Sequence, residues 1–323
     1  MQLQDIKRVL VIGAGTMGEG IAQCFAQAGL TVFLADIDEN ALKRCRKQIR
    51  ASTALMQEFG LLSEDPSLVI SRIDFRPMKE MAGIGVFKEE ADLVVEAVPE
   101  VLDLKRTLFS HLDGFRKEVI LSSNTSSLTI TSISEGLKTP GRFVGVHFLY
   151  PAHIIPLVEI HGGKETEEET IASAKELMIR IGKKPIVVRK EIPGFIVNRI
   201  QAAYNREVTY LLNEGVAKAE ELDMAAKAGF GFRLACLGPL EIHDLNGLDV
   251  VLKAGGRTRQ SICNDREPSP LLVEKVEKGE LGVKSGKGWH DYQGRTREEV
   301  LEESNRKLLR QLLSFNTLEK TGS

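Results

Sequence analysis

His147 and Glu159 are of residue types, and at a spacing, that could share a proton. His147 closes a short β-branched run, Phe143–His147. Glu159 lies on the next such run, Pro156–His161, 159 − 147 = 12 residues later. Pro151 and Pro156 interrupt the connection, so the two runs are expected to fold back on each other and bring the side chains together. An imidazole titrates near neutrality, and a carboxylate beside it fixes its tautomer and stabilises the imidazolium. Such a pair is suited to removing a hydroxyl proton. The bland reading stays open from spacing alone: a strand-end histidine often serves structure, and Glu159 can be a solvated strand charge. His153, in the connection itself, is the best local rival. His111, His161, His243 and His290 have weaker claims.

A second constellation lies at the start of the chain. Gly13-Ala14-Gly15-Thr16-Met17-Gly18 follows the apolar run Arg8–Ile12 and precedes a helix-compatible stretch with Ile21, Ala22, Phe25 and Ala26. Asp36 ends the next strand-like run, Thr31–Asp36, 36 − 18 = 18 residues past the last glycine. In that context G-x-G-x-x-G reads as a dinucleotide-binding turn. Gly13 permits the tight turn, Gly15 lets the backbone approach a pyrophosphate, and Gly18 allows close helix–strand packing. Thr16 and Met17 open the helix whose free N–H groups face the phosphates. Asp36 would accept from the ribose hydroxyls and repel a 2′-phosphate, favouring NAD over NADP. FAD remains a competitor on the motif alone, as does a glycine turn with no ligand. With NAD, the expected chemistry is hydride removal from an alcohol while a base takes its proton.

The elements that must carry these groups alternate, as in a parallel α/β sheet. Further strands are expected at Leu93–Ala97, Val119–Ser122 and Pro185–Arg189, with helices over Glu39 to about Phe59 and Glu167–Ile181. After Pro193-Gly194 the pattern changes. Ile196, Ile200, Tyr204, Val208 and Leu211 recur at helical spacing, and helical segments follow at Ala219–Ala228, Leu240–Leu252 and Leu271–Lys278. From Arg295 a charged stretch with Leu301, Leu308, Leu309 and Leu312 reads as a last helix, fraying at Thr321-Gly322-Ser323. The expected fold is therefore an α/β Rossmann-type domain over residues 1–189 followed by an all-α domain over 190–323.

Composition excludes other classes. Forty-three basic against forty-five acidic residues leave a net charge of −2, which argues against generic nucleic-acid binding. No apolar run approaches the ~20 residues that span a bilayer, and Met1–Asp5 carries no leader-like pattern. Four scattered cysteines give neither a zinc site nor a disulfide framework. These features point to a cytoplasmic protein that needs no metal. Gly282-Val283-Lys284-Ser285 lacks the glycine a P-loop requires directly before its lysine.

The chain resembles the L-3-hydroxyacyl-CoA dehydrogenase family over nearly its whole length. The resemblance rests on the glycine turn together with Ser123-Asn124-Thr125-Ser126-Ser127, Val146-His147-Phe148 and Pro156-Leu157-Val158-Glu159-Ile160. Further matches are Pro193-Gly194-Phe195-Ile196-Val197-Asn198-Arg199, Gly238-Pro239-Leu240-Glu241 and Gly282-Val283-Lys284-Ser285-Gly286-Lys287-Gly288. It implies NAD-dependent oxidation of a short-chain 3-hydroxyacyl-CoA, with His147 as general base and Glu159 as its orienting partner. Ser126 and Asn198 would bond the reacting oxygen region, and Glu100, Lys105 and Lys284 would be further cofactor contacts. Read alone, Glu100 and Lys105 are a solvated helix start. The helical domain would close the active-site cleft and form a homodimer.

Two departures bear on the substrate. Tyr150 stands where the family usually has asparagine. Ser52 matches a serine associated with CoA, but Phe59 replaces the lysine expected two turns later. Residues Ala152–Glu159 and Gly231-Phe232-Arg233 look more like relatives that oxidise free hydroxy acids, such as lambda-crystallin/L-gulonate 3-dehydrogenase and carnitine dehydrogenase. Arg233 would then clamp a substrate carboxylate, or it is a surface arginine. A redox-inert dinucleotide-binding structural protein is the alternative of another class.

Overall fold

The computed structural model describes residues 6–254 and 256–321. Met1–Asp5, Gly322 and Ser323, on which the leader and fraying expectations partly fall, lie outside the described residues. The chain divides into two compact units, Met1–Arg199 and Ile200–Ser323.

The first unit is built on an eight-stranded sheet. Its strands are β1 (Arg8–Ile12), β2 (Thr31–Asp36), β3 (Ile73–Pro77), β4 (Leu93–Glu96), β5 (Ile120–Ser123), β6 (Phe143–Phe148), β7 (Leu157–Gly162) and β8 (Lys184–Val188). They lie in the order β3-β2-β1-β4-β5-β6-β7-β8. All neighbours are parallel except β6 and β7, which run antiparallel. Helices α1 (Thr16–Gln27), α2 (Glu39–Glu58), α3 (Pro66–Ser71), α4 (Leu102–Leu112), α5 (Ile130–Ile133) and α6 (Glu168–Arg180) connect the strands.

Central strands are apolar on both faces because helices cover both, so β4 and β6 are buried throughout. Leu10, Ile12, Val94, Leu121 and Phe143 form one side of a core with Leu108, Phe109 and Leu112 of α4. The Phe109 and Phe143 rings meet edge-on at 4.4 Å between centroids. The sequence reading has no strand at β3, and the reason is its place. As an edge strand it is only half covered and tolerates Asp74, Arg76 and Pro77, which break the β-branched signal.

The second unit is helical. Helix α7 (Val197–Asn213) begins just before it, followed by α8 (Ala219–Ala228), α9 (Phe230–Leu234), α10 (Pro239–Asn246) and α11 (Leu248–Ala254). Then come α12 (Gly256–Ser261), α13 (Pro270–Glu277) and α14 (Arg297–Thr321). The single helix expected over Leu240–Leu252 is two, because Gly247 between them adopts φ +86° and ends the first. Among the described residues this unit has only isolated β-bridges, Gly282 with Lys287 and Lys287 with Asp291. Helices α7, α8, α9, α10 and α13 have no buried residue. Phe232, Leu240, Leu245 and Leu252 are each more than 70% exposed. Among the described residues, no helix is long and apolar enough to cross a membrane.

Candidate active site

The turn from β1 into α1 has the form a dinucleotide requires. Gly13 adopts φ +103°, and a Cβ there would lie 2.7 Å from the Ala97 carbonyl oxygen. A Cβ on Gly18 would overlap the Gly13 carbonyl, so only glycine lets α1 pack this close to the strand. Gly15 differs: a Cβ there would meet nothing of the protein within 4 Å. The chain's own packing does not demand that glycine, whereas an approaching pyrophosphate does. Gly15 caps α1 without any side-chain acceptor for the helix's first N–H groups, and Thr16 is exposed at that end. Asp36, at the carboxyl end of β2, accepts from Ala14 N at 2.6 Å and Asp38 N at 2.8 Å. Those donors hold its carboxylate beside the glycine turn. The residues present therefore fit a dinucleotide.

A second cluster joins β4 to the loop after β5. Lys105 on α4 is buried and pairs with Glu96 at 2.6 Å and Glu100 at 3.2 Å. It is thus not part of a solvated helix start. Glu96 also accepts from Ser123 Oγ and Val98 N. Burial pushes the Glu96 carboxyl up, against the pull of Lys105 and Ser123. Glu100 Oε1 accepts from Thr125 Oγ1 at 2.6 Å and from the Ser126 and Ser127 amides at 2.8 Å each. Burial alone would raise its pKa. Those donors and Lys105 outweigh it and hold it at about 2. Glu100 is therefore a clamp on the serine loop that carries Ser126.

The third cluster forms where β6 and β7 pair. His147 and Glu159 are directly opposite in the antiparallel register, with His147 Nδ1 2.8 Å from Glu159 Oε2. Both are buried. The other carboxylate oxygen, Oε1, accepts from the Ile196 and Val197 amides at 2.9 and 3.0 Å. Burial would raise the Glu159 carboxyl. The hydrogen bonds from His147, Val197 and Ile196 more than offset it and hold the group below the usual carboxylate range. An ionised carboxylate only accepts, so Nδ1 carries a proton, and in the neutral ring it is Nε2 that holds the lone pair. Asn198, in the first turn of α7, donates from Nδ2 to the Ser126 carbonyl at 3.2 Å. Asn124 Oδ1 accepts from Phe148 N at 2.8 Å and ties the serine loop to β6.

The structure thus groups Glu100 and Lys105 with Ser126, links Ser126 to Asn198, and pairs His147 with Glu159. The sequence does not reveal that the Ile196 and Val197 amides serve Glu159; these residues figure there only in the helical stripe and in the Pro193–Arg199 match. Ser52 lies on α2 with its hydroxyl donating to Gln23 of α1 and to the Ile49 carbonyl. It is engaged inside the helix pair. His153 is held neutral, burial and the Lys183 charge lowering it to about 4. Arg233 and Lys284 are exposed residues of the second unit. Among the described residues no three His, Cys, Asp or Glu side chains gather as metal ligands would.

The glycine turn at the carboxyl end of β1, with Asp36 beside it, marks an NAD-binding domain. The comparisons with known proteins agree. Residues 8–192 match the family model "3-hydroxyacyl-CoA dehydrogenase, NAD binding domain". Residues 194–292 match "3-hydroxyacyl-CoA dehydrogenase, C-terminal domain". The chain belongs to the 3-hydroxyacyl-CoA dehydrogenase family, and its cofactor is NAD. It is 37% identical over 295 residues to the probable 3-hydroxybutyryl-CoA dehydrogenase of Bacillus subtilis, covering 90% of this chain and 99% of that one. It is 32% identical over 305 residues to 5-formyl-3-hydroxy-2-methylpyridine 4-carboxylate 5-dehydrogenase of Mesorhizobium japonicum, covering 94% and 96%. A crystal structure of such a 5-dehydrogenase, described as an NAD+ dependent dismutase, superposes with a TM-score of 0.87 at 31% identity. That match covers 97% of this chain and 99% of the other.

Proposed function

We propose that the protein oxidises the 3-hydroxyl of a short-chain 3-hydroxyacyl-CoA, with His147 as general base. The observation that carries the reading is the one-sided pairing of His147. Nδ1–H donates to a carboxylate that is itself held by two backbone amides, which leaves Nε2 to accept the hydroxyl proton. Glu159 stabilises the imidazolium that results, and ionisation of Glu159 is secured before the substrate binds. Asn198 and Ser126, joined by a hydrogen bond, are assigned to the substrate's oxygens. NAD, when bound, supplies the hydride acceptor. Gly13, Gly15 and Gly18 with Thr16 and Met17 shape its pyrophosphate seat, and Asp36 its ribose contact. Lys284 is assigned a further cofactor contact; Glu100 and Lys105 act there by shaping the serine loop.

A second substrate reading keeps this chemistry but replaces the thioester with a compact molecule bearing a free carboxylate, taken up by Arg233. Three observations favour it. Ser52 is spent on Gln23, Phe59 stands where a lysine would meet CoA, and the likeness to a pyridine carboxylate dehydrogenase spans the chain. Initial rates of NADH formation with 3-hydroxybutyryl-CoA and with free 3-hydroxy acids separate the two. Activity confined to CoA esters supports the first reading, and inactivity on all of them overturns it.

We also propose that the second unit pairs with a second copy of the chain. Its helices expose Phe232, Leu240, Leu245 and Leu252, apolar side chains that a second copy would cover. The free thiols Cys24, Cys45, Cys236 and Cys263 suit a reducing compartment such as the cytoplasm.

A further inference from the structure

Phe195 is the one non-glycine residue among those described with a left-handed backbone, φ +46°, and it is wholly buried. A bulky side chain resists that conformation, so something must hold it there. The strained turn has a visible consequence. The next two amides, of Ile196 and Val197, converge on a single oxygen of Glu159. The Phe195 ring lies 3.8 Å from the His161 ring, centroid to centroid, at a tilt of 32°, and 5.7 Å from that of His147.

His161 is equally unusual. It is wholly buried, and neither ring nitrogen has a partner. Burial and the neighbouring His147 lower it to about 3 against the pull of Glu159, so its ring is neutral. Room for it comes from Gly145, directly opposite on β6, where any Cβ would overlap the imidazole. Two orphaned ring nitrogens are a loss that an aliphatic side chain would avoid. What histidine adds over an aliphatic chain is a flat face for Phe195 to lie on.

We infer that His161 is a positioning residue. Stacked on Phe195, it holds the 195–197 backbone in the strained turn that aims two amides at Glu159, and so keeps Glu159 seated on His147. The inference rests on the reading of His147 as the base, and it is specific to the ring face of His161, not its nitrogens.

The test uses the full chain, NAD, and whichever substrate of the comparison above the wild type oxidises fastest. His161→Leu is expected to lower kcat about tenfold, the scale of a small misplacement of a catalytic group, with the KM for NAD and the cooperative melt unchanged. His161→Phe, which restores a ring face without nitrogens, is expected to recover wild-type kcat. A His161→Leu protein with wild-type kcat overturns the inference. So does a folded His161→Phe protein as impaired as the leucine variant. Should His161→Leu not fold, Phe195→Gly decides. Glycine accepts the backbone angle but carries no ring, and wild-type kcat in that variant overturns the inference. His147→Ala is assayed in parallel: if it keeps the wild-type rate, the reading of His147 as base fails, whatever His161 does.

Discussion

The two oxygens of Glu159 are divided between two kinds of donor, and that division gives a sharp prediction. In Glu159→Gln the converging amides of Ile196 and Val197 still need an acceptor, so the new carbonyl oxygen faces them. The new NH2 then faces His147 Nδ1, which must offer a lone pair, and the ring proton moves to Nε2. With the base in the wrong tautomer, kcat should fall by about 10²–10⁴ while the melting temperature changes little. A rate near wild type would show that the tautomer is not set here. Asp36→Ala should weaken NAD binding by roughly tenfold to a hundredfold, the worth of one hydrogen bond to a charged group, and relax discrimination against NADP. Unchanged NAD affinity by fluorescence titration would place the ribose contact elsewhere.

At the level of elements, the glycine turn and the β6–β7 pair were legible in the sequence because each depends on local signals. A strand, a turn and a helix with fixed glycine spacing announce themselves, as do two β-branched runs separated by prolines. What escaped depends on long-range register or unusual backbone. Strand β3 lies at an edge and carries charges. Lys105 looked solvated because nothing local reveals that Glu96, nine residues earlier, sits beneath it. The amide clamp on Glu159 requires Phe195 to adopt an angle that its residue type disfavours. Glu100 ties the loop after β5 to Lys105 of α4. Its folded-state pKa of about 2 lies below the ~4.3 of an unfolded glutamate. It therefore contributes stability that is present above about pH 4.3 and is lost as the pH falls towards 2. Allowing for its partial exposure, Glu100→Gln should cost about 1–2 kcal/mol at pH 6 and almost nothing near pH 2. Urea melts at the two values check this; an equal loss at both would contradict it.

For the whole molecule, the exposed apolar helices of the second unit predict a dimer at micromolar concentration, read as twice the chain mass by light scattering. A single-chain mass would remove the proposed partner. A change of Phe232 and Leu240 to glutamate should shift the mass towards one chain, since charges placed in an apolar interface are costly. The chemistry itself is tested most directly by comparing NADH formation in the wild type and His147→Gln at saturating NAD, with cofactor affinity measured alongside. The variant is expected to bind NAD as the wild type does and to lose about 10²–10⁴ in kcat. A variant that binds NAD normally and forms NADH at the wild-type rate would contradict it.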